Sequence, residues 1–235
     1  MDWDVANAMI RAVELKDLST AAHTWRVTLY AQAVAEALKL APENVYQFMQ
    51  AAALHDIGKI DIPHGILAKP GRLTDEEYEI VKMHTVLGHE RLVRMGETDP
   101  TLLTVVRHHH ERLDGSGYPD GLESDMIPQP ARRFGVIDTF DAMTSIRPYR
   151  EEIGEEAARA SLAELERHKG TWYCPHTVDL FHSLYDSGRI DWILHHFNDK
   201  ADLSALGAVP DPDRLEMAED IIKQTEQRID DSTPE

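Results

Sequence analysis

The sequence predicts an all-α fold built around one hydrophobic core. Ala, Leu, Glu and Arg, which favour helices, are frequent, whereas runs of Val and Ile are short and aromatic residues make up only 7% of the chain. Hydrophobic residues occupy 42% of the 235 positions, which is enough for one sizeable core. We therefore expect one main helical domain with a short appendage.

Several helices can be placed from the residues that begin them. Thr74 and Glu77 have the spacing of a capping box, and Asp99 before Pro100 is typical of an N-cap followed by proline at the first helical position. Apolar residues at helical spacing follow both signals. Two segments rich in proline and glycine, 63–73 and 114–130, are predicted to be loops.

The formal net charge of −18 argues against binding to duplex nucleic acid, because such proteins present basic faces to the phosphates. Residues 199–235 hold eleven acidic side chains against four basic ones, which predicts an acidic C-terminal extension after a domain at 1–198. A helix is predicted in the extension at about 213–229. Its apolar stripe either packs back on the domain or mediates self-association into a homodimer.

Cys174 is the only cysteine, which excludes an internal disulfide and any multi-cysteine zinc module. Acidic residues stand near the N-terminus where a signal peptide carries lysines, and no apolar run approaches the length of a membrane span. We therefore expect a cytoplasmic protein without membrane insertion.

Imidazoles and carboxylates interrupt the apolar faces of the predicted helices. His23 precedes Val27 by one turn on the inward stripe of a helix at 22–38. His55 and Asp56 continue the buried face of a helix at 43–56. These polar side chains are therefore predicted to point into the core.

The same helical periodicity predicts buried polar residues in three further segments. In the helix after Thr74, Ile80 and Leu87 are predicted to share the buried face with His84. The predicted helix after Pro100 is followed by a turn that points His109 and His110 inward. A later predicted helix carries Asp138 on its buried face.

Each of these residues alone is best explained as an ordinary hydrogen-bonded core residue or a cap. Burying all of them without a cation would leave several polar groups unsatisfied, at roughly 1–3 kcal/mol each. Imidazole and carboxylate are usual ligands of zinc, manganese and iron. Adjacent ligands such as His55 and Asp56 diverge by about 100° on a helix, which favours two neighbouring metals, the arrangement used to hydrolyse phosphate esters.

Three motifs in a fixed order resemble those of the HD-GYP family of bacterial phosphodiesterases, an all-helical branch of the HD superfamily. They are AALHDIGKIDIP at 52–63, HHERLDGSGYPDGL at 109–122 and IDTFDAMTSIRPYR at 137–150. HD alone is a weak motif, but the ordered set is highly specific, and the resemblance covers about residues 10–187. It implies hydrolysis of cyclic di-GMP to linear pGpG, or on to GMP, through a metal-bridging hydroxide.

The resemblance also implies roles for individual residues. Two divalent ions, iron or manganese rather than zinc, would be bound by His23, His55, Asp56, His84, His109, His110 and Asp138. Asp56 would bridge the metals, and Lys59 would face the scissile phosphate and stabilise transition-state charge. Arg147 resembles a second phosphate contact, while Gly117 and Tyr118 resemble residues that line the substrate. His108 stays outside the ligand set.

The sequence departs from the family pattern at two places that bear on the site. Ser19 stands where some members carry a glutamate that helps to bind a third metal, so two metals are expected. The usual Phe-Asp-Pro is Tyr173, Cys174 and Pro175 here, preceded by Trp172. Family members also usually follow a receiver or sensory domain, for which there is no room before residue 10.

Two other functions compete with cyclic di-GMP hydrolysis. One is hydrolysis of another cyclic dinucleotide by the same kind of site. The other is a catalytically weak or inactive module that binds the dinucleotide, or a partner protein, through the surface of the GYP loop. The presence of the whole ligand set and of Lys59 favours an active enzyme.

Overall fold

The computed structural model describes residues 1–16, 21–145 and 155–197, and these residues form a helical domain without a β-strand, as predicted. None of its helices is both long and apolar enough to cross a bilayer. Short 3-10 turns lie at Ile57–Asp61 and Ser124–Met126. The α-helices are α1 (Trp3–Glu14), α2 (Ala21–Ala37), α3 (Pro42–Leu54), α4 (His64–Leu67), α5 (Asp75–Lys82), α6 (His84–Arg94), α7 (Pro100–His108), α8 (Gln129–Thr144), α9 (Glu155–Arg167), α10 (Pro175–Asp186) and α11 (Asp191–His196).

Both helix starts predicted from capping signals are confirmed. The Thr74 hydroxyl accepts a hydrogen bond from the Glu77 backbone N–H, and the Glu77 carboxylate accepts one from the Thr74 N–H at 2.7 Å. At the start of α7, Asp99 Oδ1 accepts from the Thr101 N–H at 2.7 Å. Caps of this kind stabilise a helix by about 1 kcal/mol.

Helix α2 lies in the middle of the domain, packed against α3 and in contact with α8, α10 and α11. Trp25, Val27, Tyr30 and Val34 on this helix are fully buried. The Tyr30 ring meets the ring of Phe140 on α8 edge to face, a geometry that adds stability beyond burial alone. The apolar core therefore holds the helices that carry the polar residues described below.

Two local predictions are wrong. The helix predicted after Thr74 is broken at Met83 into α5 and α6, and the break shifts the periodic pattern, so that Ile80 is 41% exposed instead of buried. The segment 63–73, predicted as loop, contains the four-residue helix α4, which is too short to show an apolar period of its own.

Residues 198–235 lie outside the described residues, and the helix predicted at about 213–229 lies there too. The domain boundary at residue 198 therefore stays a prediction. The described chain ends at Phe197, whose ring stacks on Trp25 of α2 at 5.3 Å between ring centres. The end of α11 is thereby attached to the central helix.

Candidate metal centre

The HD pair lies where helix α3 ends. The two residues were predicted to continue the helix, but α3 ends at Leu54, and His55 and Asp56 lead into the following 3-10 turn. Gly58 lets this turn pack against α6, because a Cβ atom there would lie 1.8 Å from the carbonyl oxygen of His84. The turn therefore brings the HD pair against the start of α6.

A cluster of three imidazoles lies between α6 and the end of α7. One nitrogen from each of His84, His109 and His110 lies within 4.8 Å of the other two. The Nε2 atoms of His84 and His109 are 3.4 Å apart, and both residues are buried. Asp56 Oδ1 lies 3.3 Å from His84 Nε2, which adds a carboxylate to the three-imidazole cluster.

A second cluster joins His23 of α2, His55 and Asp138 of α8 within the same distance limit. His55 Nε2 lies 3.7 Å from Asp138 Oδ1 and 3.2 Å from Asp56 Oδ2. A third set, formed by His55, Asp56 and His109, connects the two clusters. One oxygen of Asp56 thus faces each cluster, which is the position of a carboxylate that can bridge two ions.

Hydrogen bonds at Nδ1 leave Nε2 of several rings available as a ligand atom. Carbonyl oxygens can only accept, so each ring nitrogen bonded to one carries the hydrogen. Such bonds fix the tautomer and orientation of metal-binding histidines. The backbone acceptors are Ala52 for His55 at 2.8 Å, Val81 for His84 at 2.7 Å and Val105 for His109 at 2.9 Å.

Burial keeps the three-imidazole cluster neutral. It lowers the pKa of His84, holds the pKa of His109 well below its usual range and lowers the pKa of His110 to about 3. Charged neighbours make smaller contributions, with Asp56 opposing the shift in each ring. Neutral rings offer the lone pairs that a metal ion requires.

The charges around His55 act in the opposite direction. Burial disfavours its protonated ring, but the carboxylates of Asp56 and Asp138 outweigh burial and raise the pKa of His55 to about 9. Burial likewise opposes ionisation of Asp56, yet the charges of His55 and Lys59 hold the pKa of Asp56 well below its usual range. The site therefore favours a cation among these groups, and a metal competes with the proton for the same nitrogen.

Both clusters offer imidazole nitrogen and carboxylate oxygen, the donor set that suits iron, manganese or zinc. Removing such a set from water without a cation would be costly, because buried polar atoms need partners. The residues present therefore fit a metal centre. All seven residues predicted as ligands from the sequence come together in these clusters.

Lys59 lies three residues after Asp56, in the 3-10 turn. Its Nζ atom is 2.8 Å from Asp56 Oδ2, and 19% of its side chain is exposed. The ammonium group therefore contacts the carboxylate that lies between the two clusters. Arg147, the predicted second phosphate contact, lies outside the described residues, and so does Ser19.

The loop after α7 is held by the glutamate of the HHE motif. The Glu111 carboxylate accepts hydrogen bonds from the backbone N–H groups of Asp120 at 2.7 Å and Leu122 at 3.0 Å. His108 Nε2 bonds to the Asp120 carboxylate at 2.9 Å and so faces this loop. The first histidine of the HHH run therefore stabilises the loop, outside the two clusters.

Gly117 and Tyr118 lie at the inner side of the same loop. A Cβ atom on Gly117 would lie 2.4 Å from the backbone nitrogen of Arg112, so only glycine fits this close approach. The Tyr118 N–H donates to the His110 carbonyl oxygen, and the two rings are 4.7 Å apart. The loop thereby places an aromatic ring against the three-imidazole cluster.

A cavity of about 350 Å³ adjoins this loop and is lined by His110, Tyr118 and Arg112, among others. The Arg112 guanidinium lies 3.8 Å from the ring centre of Trp172, whose opposite face stacks on His168 at 3.7 Å. Among the described residues no carboxylate pairs with that guanidinium. A planar cation next to the imidazole cluster suits an anionic or hydrogen-bonding ligand.

Sequence analysis assigned no role to two residues of this region, Asp141 and Glu14. Asp141 lies one turn after Asp138 on α8, and the helical period could have indicated it. Glu14, at the end of α1, lines a cavity of about 20 Å³ together with His23 and Asp56, and its Oε1 atom is buried without a hydrogen-bond partner in the described structure. Neither the Glu14 position nor the cavity beside Arg112 produces a sequence signal, because both depend on how distant segments pack.

Comparisons with known proteins agree with the motifs and the geometry. The HD domain family matches residues 7–176. The response regulator RpfG of Xanthomonas campestris, a cyclic di-GMP phosphodiesterase, is 40% identical over 75% of the chain and 46% of its own length. The 3'3'-cGAMP-specific phosphodiesterase 2 of Vibrio cholerae is 36% identical over 76% of the chain and 34% of its own length. The chain therefore spans less than half of either relative.

The fold also has solved counterparts. A cyclic GMP-AMP-specific phosphodiesterase of Vibrio cholerae superposes with a TM-score of 0.59 over 90% of this chain and 56% of its own, at 14% identity. At that identity the likeness concerns the fold. It supports the prediction of an HD-type helical bundle.

Proposed function

Because this chain belongs to the HD domain family, and within it to the HD-GYP phosphodiesterases, we propose that it is a metal-dependent phosphodiesterase that hydrolyses cyclic di-GMP to linear pGpG. The observation that carries the proposal is the position of Asp56. Its two carboxylate oxygens lie 3.2 Å from His55 Nε2 and 3.3 Å from His84 Nε2, one toward each ligand cluster.

Two divalent ions are proposed to bind in these clusters. The three-imidazole cluster with Asp56 would hold one, and His23, His55 and Asp138 with Asp56 would hold the other. Iron or manganese is proposed, as the family resemblance implies, and imidazole with carboxylate donors suits both ions. When bound, two adjacent cations supply Lewis-acid stabilisation of the phosphate and activate water for an in-line displacement.

The remaining roles belong to side chains of this chain. Lys59 is proposed to exchange its contact with Asp56 for the scissile phosphate, where its ammonium opposes the charge that develops in the transition state. Arg147 is proposed as a second phosphate contact. Gly117 and Tyr118 are proposed to line the substrate, because both border the cavity: Gly117 lets the loop backbone pack closely on Arg112, and the Tyr118 ring is an aromatic surface on which a nucleobase can stack.

The substrate class is supported by the cavity beside the loop. Its volume of about 350 Å³ and its Arg112 guanidinium suit a guanine base, whose O6 and N7 atoms are bidentate acceptors for arginine. The relative that is specific for 3'3'-cGAMP favours a mixed cyclic dinucleotide as the second candidate substrate. A binding module without activity is the remaining alternative.

One assay separates these functions. Protein purified without oxygen and loaded with Mn²⁺ is incubated with cyclic di-GMP, cyclic di-AMP and 3'3'-cGAMP, and the products are chromatographed. Fastest conversion of cyclic di-GMP to pGpG is expected, with GMP appearing later if the linear product rebinds. Preference for 3'3'-cGAMP would support the second candidate, and tight binding without turnover would support the binding module.

The cellular setting is part of the same proposal. We propose that the enzyme acts in the cytoplasm, the location expected from the sequence. The GYP loop is also proposed as a surface for a partner protein. The apolar stripe predicted at about 213–229 either packs back on the domain, which is the preferred alternative, or forms the contact of a homodimer. Size-exclusion chromatography of the full chain and of residues 1–198 tests the dimer contact.

A further inference from the structure

A buried ion pair lies directly behind the metal centre. Arg26 of α2 is 1% exposed and Asp141 of α8 is fully buried. The guanidinium donates through Nε to one carboxylate oxygen of Asp141 at 2.5 Å and through Nη2 to the other at 3.0 Å. This fork-to-fork geometry is the most restrictive arrangement that an arginine and a carboxylate adopt.

The Asp141 carboxylate also holds a predicted metal ligand. Its Oδ2 atom accepts a hydrogen bond from His23 Nδ1 at 2.7 Å. The carboxylate can only accept here, so Nδ1 carries the hydrogen and Nε2 of His23 is left with its lone pair on the side of His55 and Asp138. Asp141 therefore connects a fixed cation to a ligand histidine whose Nδ1 bonds to a side-chain carboxylate instead of a backbone carbonyl.

The pair also crosslinks the two helices that carry the ligands of the second cluster. Arg26 follows His23 by three residues on α2, and Asp141 follows Asp138 by three residues on α8. Residues three apart share a helix face, so a rigid bond between Arg26 and Asp141 sets the distance between His23 and Asp138. From this geometry we propose that Arg26 and Asp141 are positioning residues for His23, and that they determine the occupancy of the second metal position.

Two further contacts keep the guanidinium in place. Arg26 Nη2 donates to the Ser145 hydroxyl at 2.8 Å, and Nη1 donates to the Phe197 carbonyl oxygen at 2.8 Å. The stack of Phe197 on Trp25 fixes that carbonyl. The end of α11 is thus part of the support of the second metal position, although it contributes no ligand.

The inference rests on the proposed binuclear centre, and its test uses variants that leave no buried charge unpaired. Removing one partner of a buried ion pair costs roughly 3–5 kcal/mol, whereas replacing both by apolar groups is often neutral. The double variant R26M/D141N keeps an amide oxygen that can accept from His23 Nδ1. The double variant R26M/D141L removes every acceptor. Thr28→Val, a buried hydroxyl on the same helix that bonds to the Thr24 carbonyl oxygen, is the control for general destabilisation.

The measurement is titration of each metal-free protein with Mn²⁺, followed by EPR, which distinguishes an isolated ion from a spin-coupled pair. Wild type and Thr28→Val are expected to bind about two ions as a coupled pair, the binuclear arrangement. R26M/D141N keeps an acceptor for His23 but loses the crosslink between the two helices, so its affinity for the second ion is expected to lie between those of wild type and R26M/D141L. R26M/D141L is expected to bind the first ion with wild-type affinity and to lose at least tenfold in affinity for the second.

Equal binding of two ions by both double variants would overturn the positioning role. Binding of fewer than two ions by wild type would instead overturn the binuclear centre itself, so the two failures are distinguishable. If R26M/D141L does not fold, R26M/D141S replaces it, because a serine hydroxyl is too short to reach the ring, and the same ion count decides.

Discussion

The Nε2 atoms of His84 and His109 lie 3.4 Å apart in the interior of the domain, and Nδ1 of each ring donates to a backbone carbonyl oxygen. With Nδ1 carrying the hydrogen in both neutral rings, the two Nε2 lone pairs face each other. That contact is repulsive unless a cation lies beside both nitrogens. The arrangement of the two rings therefore supports the proposed metal position.

The first prediction follows from this contact. His84→Ala is expected to reduce bound metal from about two ions to one, because the three-imidazole cluster loses a ligand while the second cluster keeps His23, His55 and Asp138. Elemental analysis of protein purified without oxygen measures the count. His108→Ala is the matched control, since that ring bonds to Asp120, and it should retain both ions. Metal loss in the control with none in His84→Ala would reverse the assignment.

Metal removal should also change stability. At an Mn²⁺ concentration of about one hundred times the dissociation constant, one bound ion raises the free energy of unfolding by about 2.7 kcal/mol. Urea unfolding of wild type with and without the ion, compared with His84→Ala, is expected to show a smaller increase in the variant. An increase of the same size in both proteins would place the ion elsewhere.

Lys59 provides the second mutational prediction. Lys59→Met is expected to lower kcat by roughly a hundred- to a thousandfold, as removal of one transition-state donor does, with metal content unchanged. Asp56, its partner at 2.8 Å, keeps its positions toward His55 and His84. Lys59→Arg is the matched variant, because it keeps the charge with a different shape. If Lys59→Met instead releases metal, the role of Lys59 is to orient Asp56.

The sequence predicts much of this site because its ligands lie on helix faces whose apolar periods can be read directly. His23 and Asp138 are placed by that period, and the capping signals locate the starts of α5 and α7. His84 is buried as predicted, although the helix break at Met83 separates it from the stripe that predicted it. The helical period does not predict the orientation of residues that lie beyond the end of a helix. His55 and Asp56 were predicted within α3, but that helix has already ended, and the close approach made possible by Gly58 orients them.

Contacts between distant segments account for the rest. Arg26 lies on the face of α2 that meets Asp141 and Phe197, and no local pattern marks an arginine as buried. From the sequence, Arg112 is an ordinary loop cation. Only the structure shows that it packs on the ring of Trp172, sixty residues later in the chain. Tertiary packing therefore decides which charged side chains support the site.

The third mutational prediction concerns Arg112. Arg112→Ala is expected to raise KM for cyclic di-GMP by about tenfold, equivalent to 1.4 kcal/mol, within the range for loss of an arginine contact to guanine. The metal count and kcat should change little, because the guanidinium lies beside the cavity and donates no ligand. Arg112→Lys separates the planar contact from charge alone. A fall in thermal stability with unchanged KM would mean that Arg112 only packs the loop against Trp172.

The last prediction concerns the start of α10. Cys174 occupies the N-cap position there, and its side chain makes no cap hydrogen bond, whereas the related family carries an aspartate at this point of its Phe-Asp-Pro motif. An aspartate at an N-cap accepts a hydrogen bond from the backbone N–H two or three residues later and interacts favourably with the helix dipole. Cys174 also lies near the Arg133 guanidinium, whose pKa is lowered chiefly by burial, so a carboxylate would gain an ion-pair partner there.

Cys174→Asp is therefore expected to raise the free energy of unfolding by about 1 kcal/mol, measured by urea denaturation of the metal-free protein. Cys174→Asn forms the cap without the charge, so the difference between the two variants isolates the contribution of Arg133 and the dipole. Cys174→Ala forms no cap and sets the baseline. Because Cys174 is not among the proposed metal ligands, the Mn²⁺ count should stay at about two in all three variants, the binuclear value. An aspartate variant no more stable than Cys174→Ala would show that the chain from Trp172 to Pro175 cannot bring a carboxylate to the helix end.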